Sequence, residues 1–208
     1  MSKTKLTYFG VTGRAEPIRY MLAYAGVDFE DVTVHRADLL KIKHDLPLGE
    51  VPVLEFEGKT LYQSQAIYRF LAKRFNLEGN DEWDAYWCDV AVQTIVDVGL
   101  AFRRDRGWEK TEKEKSETGA IAEHASALAK AAYFVDKLES QLEKNDGHFL
   151  KGKLSYADFY LAGSISILNF QAGENIFANK PRLNALKEKI ENLPAIRAYL
   201  EKRPAVKY

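Results

Sequence analysis

At 208 residues the chain can form one domain or two small ones, and either can bury a real core. Lys plus Arg (30) equals Asp plus Glu (30), which excludes an overall field that steers nucleic acid or an anionic membrane. One cysteine, Cys88, excludes an internal disulfide framework and fits a reducing compartment. Met1 to Arg14 lacks a long apolar core and no Asn-x-Ser/Thr acceptor occurs, so the reading is a soluble, cytoplasmic chain. No apolar run approaches the roughly 18 residues needed to span a bilayer.

Lys5-Leu6-Thr7-Tyr8-Phe9 alternates like a half-buried strand. A turn follows, Gly10 to Ala15, and Pro17 stands where a helix begins. Ile18, Met21, Leu22 and Ala25 give that helix an apolar stripe, and Gly26 stops it. Phe29 to His35 predicts a second strand, parallel to the first through a right-handed crossover. Ala37 to Leu46 reads as either a short helix or an irregular loop.

The stretch Gly49 to Gln65 is the most informative in the chain. Val53-Leu54-Glu55-Phe56 and Lys59-Thr60-Leu61-Tyr62 flank Glu57-Gly58, which predicts a β-hairpin. Pro52 cannot donate a ladder hydrogen bond, so it belongs at a strand start, bulge or turn. A cis bond there would turn the amide and carbonyl of Val51 outward, free to pair with a peptide-like ligand. Ser64 then opens a helix to Arg74 whose unpaired N–H groups form an anion site. A peptide-pairing edge beside such a helix start suits a small acidic peptide.

Leu77 to Glu82 is polar and glycine-bearing, a linker. Beyond it the period is 3.6. Trp83, Trp87, Val90, Ala91, Thr94, Ile95, Val98 and Phe102 form one stripe of a long helix, capped by Asn80 or Asp81. Lys110 to Lys115 alternates in sign, as a solvated helix entry does. Ile121 to Leu142 is a second long helix, ended by Asn145-Asp146-Gly147. Ser155-Tyr156-Ala157-Asp158 is a capping box, with Leu154 and Phe159 placed for the hydrophobic staple. The helix it starts is nearly uncharged after Asp158 and should be the buried centre of this half. Pro181 and Pro194 each mark the first turn of a further helix.

Tyr8 is either an ordinary sheet tyrosine or a phenol at the strand ends where open α/β sheets bind ligands. There it would donate to a thiolate, and a hydrogen bond to a charged group contributes about 1.5–3 kcal/mol. That lowers a thiol pKa by about one to two units from roughly 8.5. Arg14 is either a surface cation or support for that thiolate. Lys43 is either solvated or holds a ligand carboxylate, and Gln63-Ser64 at a helix start suits a carboxylate. Asp97 is either an exposed acid or, across a dimer interface, a partner for a ligand ammonium. Gly147 to Lys153 has phosphate-loop spacing, but Leu154 replaces the Ser/Thr required by that motif. The four histidines are scattered, and Cys88 reads as a buried or interface residue.

Leu6-Thr7-Tyr8-Phe9, Gly13-Arg14-Ala15-Glu16, the run Leu46 to Glu55, Gln63-Ser64-x-Ala66-Ile67 and Ala157-Asp158-Phe159-Tyr160 together resemble a cytosolic glutathione transferase. The class resembled is sigma, which includes the haematopoietic prostaglandin D synthases. The resemblance covers essentially the whole chain. It implies a homodimer of a thioredoxin-like N-terminal domain (1–77) and an all-helical C-terminal domain (83–208). It also implies that Tyr8 activates the glutathione thiol with Arg14 in support. Val51, with Gly49 and Pro52, would pair with the cysteinyl backbone. Gln63 and Ser64 would hold the γ-glutamyl end, Lys43 the glycine carboxylate, and Asp97 would reach in from the partner subunit.

The chain departs from that pattern at several positions. Leu39 stands where sigma enzymes carry a tryptophan that helps hold the glycine end. Gln93 and Val96 replace two acidic residues of a divalent-ion cluster, so no metal is required, and Arg104 stands where an aromatic lid is expected. The expectation is a detoxifying transferase that adds the glutathione thiolate to hydrophobic electrophiles. Its electrophile pocket is assigned to Phe9, Thr12, Gly13, Gly99, Phe102 and Tyr208. The alternatives are a prostaglandin H2 D-isomerase and a non-catalytic carrier or lens crystallin relative.

Overall fold

β3 (Val53–Phe56) and β4 (Lys59–Tyr62) form the expected hairpin, with Glu57 at φ 49° and Gly58 at φ 75° in the turn. Two consecutive residues in the left-handed region match the strands' own twist, which is why an x-Gly pair sits there. β1 (Thr4–Phe9) lies antiparallel to β3 and parallel to β2 (Phe29–Val34), giving the order β2-β1-β3-β4. α1 (Glu16–Tyr24) makes the crossover between the parallel strands. α2 (Leu39–Ile42) is a single turn flanked by 3₁₀ turns at Arg36–Asp38 and Lys43–Asp45. α3 (Ser64–Arg74) follows the hairpin. The chain is thus thioredoxin-like in its first half and helical in its second. This computed structural model describes residues 3–105 and 117–204. The Lys110 to Lys115 run, Tyr208 and the Arg104 side chain lie outside the described residues and side chains.

α1 is buried more completely than its stripe predicted. Every residue from Glu16 to Leu22 is buried, while Ala25 is exposed. The helix is wedged between α3 on one side and the helical half on the other, so no face is left for solvent. Arg19 survives there because its guanidinium is fully used. It donates to Asp31 at 2.8 and 3.2 Å, to Glu16 at 3.0 Å, and to the carbonyl of Val11 at 3.0 Å. A buried charge is tolerated when paired and hydrogen-bonded in this way. Arg203 pairs with the other oxygen of Glu16 and ties the end of the chain to the start of α1.

The helical half contains α4 (Glu82–Asp105), α5 (Glu117–Lys144), α6 (Tyr156–Ala172), α7 (Pro181–Glu191) and α8 (Pro194–Lys202). Asp81 caps α4, accepting from the N–H groups of Trp83 and Asp84 at 2.9 Å each. The buried stripe of α4 is Cys88, Ala91, Val92, Ile95, Val98 and Phe102. Trp83 and Trp87, assigned to that stripe from sequence, instead face outward, each meeting the ring of Tyr86 edge-to-face. The buried face at the start of α4 runs through Cys88, and Trp87, one residue earlier, lies about 100° around the helix from it. By length and composition Glu82–Phe102 is long and apolar enough to cross a membrane, but its inner face packs on α5 and α6. α6 is the buried centre, as its lack of charge predicted. Its capping box is formed by Ser155 and Asp158, and the Tyr156 N–H donates to Leu77 O at 2.9 Å, joining the linker to α6.

Candidate functional site

A cleft of about 620 Å³ opens where the C-terminal end of β1 meets α3, α4 and α6. Tyr8 stands in its wall, 7% exposed, with its ring 5.4 Å from that of Phe9. The Arg14 N–H donates to the Tyr8 hydroxyl at 3.1 Å. With that lone pair occupied, the phenol's own proton is free to point into the cleft. Gly13 makes the approach possible. Its φ is +44°, and an added Cβ would sit 2.8 Å from the Tyr8 oxygen. Tyr68 O–H donates to Arg14 O at 2.5 Å and holds the other side of this loop. Burial raises the Tyr68 pKa well above that of an ordinary phenol, so this donor stays protonated. The loop is further fixed by Arg19, whose guanidinium lies 5.9 Å over the Tyr8 ring. Near the phenol Arg14 contributes a backbone donor, and the guanidinium over the ring belongs to Arg19, which sequence reasoning did not single out.

Val51 lines the cleft immediately before a cis bond to Pro52. Among the described residues its N–H and C=O make no backbone hydrogen bond, so the edge is open. Gln63, at φ +67°, delivers the chain into α3, whose first turn has no side-chain cap. Its leading N–H groups therefore stay available to an anion beside Ser64. Lys43 is exposed with its stem laid over Gly49, where an added Cβ would come within 2.6 Å of Lys43 Cγ.

The cleft brings together Tyr8, Phe9, Gly13, Arg14, Val51, Gln63, Ser64 and Gly99 of the residues singled out from sequence. Lys43, Gly49, Pro52 and Thr12 are not among its lining residues: Lys43 is exposed, and Gly49, Pro52 and Thr12 are buried. Phe102 is fully buried in the helical core, 6.3 Å from the His124 ring. Asp97 is exposed on the outer face of α4. Sequence reasoning missed Arg36, Glu50, Gln65, Tyr160 and Gln171 as lining residues. Tyr160 carried a signal, since it lies in the motif that begins α6, but only its neighbours' capping was read. Burial pushes its phenol up to about 12. Among the described residues no three His, Cys, Asp or Glu side chains converge as metal ligands do.

Residues 4–73 match the family model for the glutathione S-transferase N-terminal domain, and residues 107–203 match that for a glutathione S-transferase C-terminal domain. Glutathione S-transferase S1 of Drosophila melanogaster is 35% identical over 199 residues, 96% of this chain and 78% of that protein. Hematopoietic prostaglandin D synthase of Gallus gallus is 38% identical over 209 residues, 98% of each chain. The solved structure of prostaglandin synthase D of Nilaparvata lugens superposes with a TM-score of 0.86. It is 33% identical and covers 98% of this chain and 100% of its own.

Proposed function

Since the chain belongs to the glutathione S-transferase family and is a transferase acting with glutathione, we propose how its cleft performs that chemistry. Glutathione lies along the open Val51 edge, with Gly49 and Pro52 shaping that edge. Its γ-glutamyl carboxylate sits on the N-terminus of α3 beside Gln63 and Ser64, and its glycine carboxylate is directed toward Lys43. The thiol reaches Tyr8, whose proton stabilises the thiolate, with Arg14 in support. The thiolate adds to a hydrophobic electrophile held between Phe9 and Gly13 on one side and Val96, Gly99 and Leu100 of α4 on the other, while Thr12 and Phe102, expected in this pocket, are buried outside it. The single observation that carries this reading is the Arg14 N–H bond to the Tyr8 oxygen, which leaves the phenol one donor and aims it at the cleft.

The finer parts of the reading are a sigma-class assignment, a cytoplasmic location and a homodimer of domains 1–77 and 83–208. The sigma assignment draws on the prostaglandin D synthase relatives. The same relatives favour prostaglandin H2 isomerisation as a second activity of the cleft. The dimer is supported by the exposed Tyr62, Phe70, Trp83, Tyr86 and Trp87, more aromatic surface than a lone chain needs to show. Asp97 follows Tyr86 by three helical turns on one face of α4, so a partner docked there would meet it.

The test is conjugation of glutathione to an aryl chloride by wild type and Tyr8→Phe, with glutathione affinity measured by calorimetry. Loss of most turnover with affinity retained supports the reading. Equal turnover in the two proteins contradicts it.

A further inference from the structure

Six arginines among the described side chains are ion-paired: Arg19, Arg69, Arg74, Arg182, Arg197 and Arg203. The two that have no carboxylate partner among the described residues, Arg14 and Arg36, both line the cleft. Arg14 already has a place beside Tyr8. Arg36 follows β2, on the far side of β1 from the α3 start, and its guanidinium lies 4.9 Å over the Phe9 ring. Stacking on an aromatic face fixes the plane of the fork and leaves its N–H edge to an anion, which it can grip with two parallel bonds.

Glutathione does not account for this cation. Its γ-glutamyl carboxylate has the α3 N-terminus, its glycine carboxylate has Lys43, and its sulfur has Tyr8. What remains is the second substrate. The apolar wall across the cleft, Val96, Leu100, Ile167 and Leu168, suits a hydrocarbon body, and the one acid in the lining, Glu50, makes no ion pair with Arg36. We propose that Arg36 selects amphipathic electrophiles: an apolar body against α4 and α6, and a carboxylate or similar anion on the guanidinium stacked over Phe9. This deepens the transferase reading above and rests on it.

The test compares chlorodinitrobenzene with chlorodinitrobenzoate, the same aryl chloride without and with a ring carboxylate. In both, the glutathione sulfur bonds to the ring carbon that bears chlorine, and chloride leaves. The readout is the ratio of kcat/KM for the benzoate to that for the benzene, at saturating glutathione. Arg36→Gln should lower the ratio about fivefold to tenfold, as expected for one partly exposed charge pair, and Arg36→Glu should lower it further. Added salt should erode the wild-type ratio and leave that of Arg36→Gln nearly flat. An unchanged ratio overturns the proposal. So does a rise in the glutathione KM that is equal with both electrophiles, which would assign Arg36 to the tripeptide instead. If wild type conjugates neither compound, the transferase reading itself fails, and this proposal with it.

Discussion

The Arg14 N–H meets the Tyr8 hydroxyl oxygen at 3.1 Å, and Gly13 is the residue that lets the two approach. A side chain at Gly13 would be strained twice, by its φ of +44° and by contact with the phenol at 2.8 Å. The left-handed region costs a non-glycine residue about 1–2 kcal/mol. Gly13→Ala should therefore fold with a slightly lower melting temperature, yet lose at least about tenfold in kcat/KM as the phenol is displaced. Conjugation rates beside a thermal melt check this; a variant with wild-type turnover would show that the close approach is dispensable.

Asp158 holds the entrance to α6 with a fully buried carboxylate. It accepts from the Ser155 N–H at 2.7 Å, the Ser155 hydroxyl at 3.2 Å and the Phe149 N–H at 3.0 Å. Asp158→Ala leaves two buried backbone donors unsatisfied as well as removing a cap. The expected loss is about 2–4 kcal/mol, read by denaturant titration. Asp158→Asn keeps one acceptor and should lose less.

Gly163 is where α6 crosses α1 most closely. An added Cβ would lie 3.0 Å from the Pro17 nitrogen and 3.2 Å from the Glu16 carbonyl carbon. Backbone on both sides leaves nothing flexible to yield, so Gly163→Ala should cost about 1–3 kcal/mol. Denaturant midpoints measure it, and since α1 carries the Tyr8 loop at its start, turnover should fall along with stability.

Cys88 is fully buried, and burial pushes its thiol up to about 12. A raised pKa keeps the neutral thiol across the physiological range, and the thiolate is the reactive form. The native protein should leave Cys88 untouched by a disulfide reagent near about pH 8, and the denatured chain should react in full. Rapid reaction of the native protein would mean that α4 opens locally.

Much of the first half was legible because its signals are local. Glu57-Gly58 dictates its turn, Pro52 its strand start, and the apolar run after Ser64 its helix, each within a few residues. Ser155 and Asp158 are likewise three apart, so the cap could be read directly. What stayed hidden depends on partners distant in sequence. Arg19 looks like a surface residue until Asp31 and Glu16 surround it, and Glu16 in turn meets Arg203 from the other end of the chain. Trp83 and Trp87 keep the helical period but stand one residue off the register of buried Cys88, so periodicity alone could not tell inside from outside. Arg36 became visible only when β2 was seen to end beside Phe9.

The central claim is that the Tyr8 phenol keeps the glutathione sulfur ionised. The direct measurement is the ultraviolet absorbance of bound glutathione thiolate against pH, in wild type and in Tyr8→Phe, with both proteins saturated. Wild type should titrate about one to two units below the free thiol, near about 7, and Tyr8→Phe should return to roughly 8.5. Identical titrations in the two proteins would contradict the account.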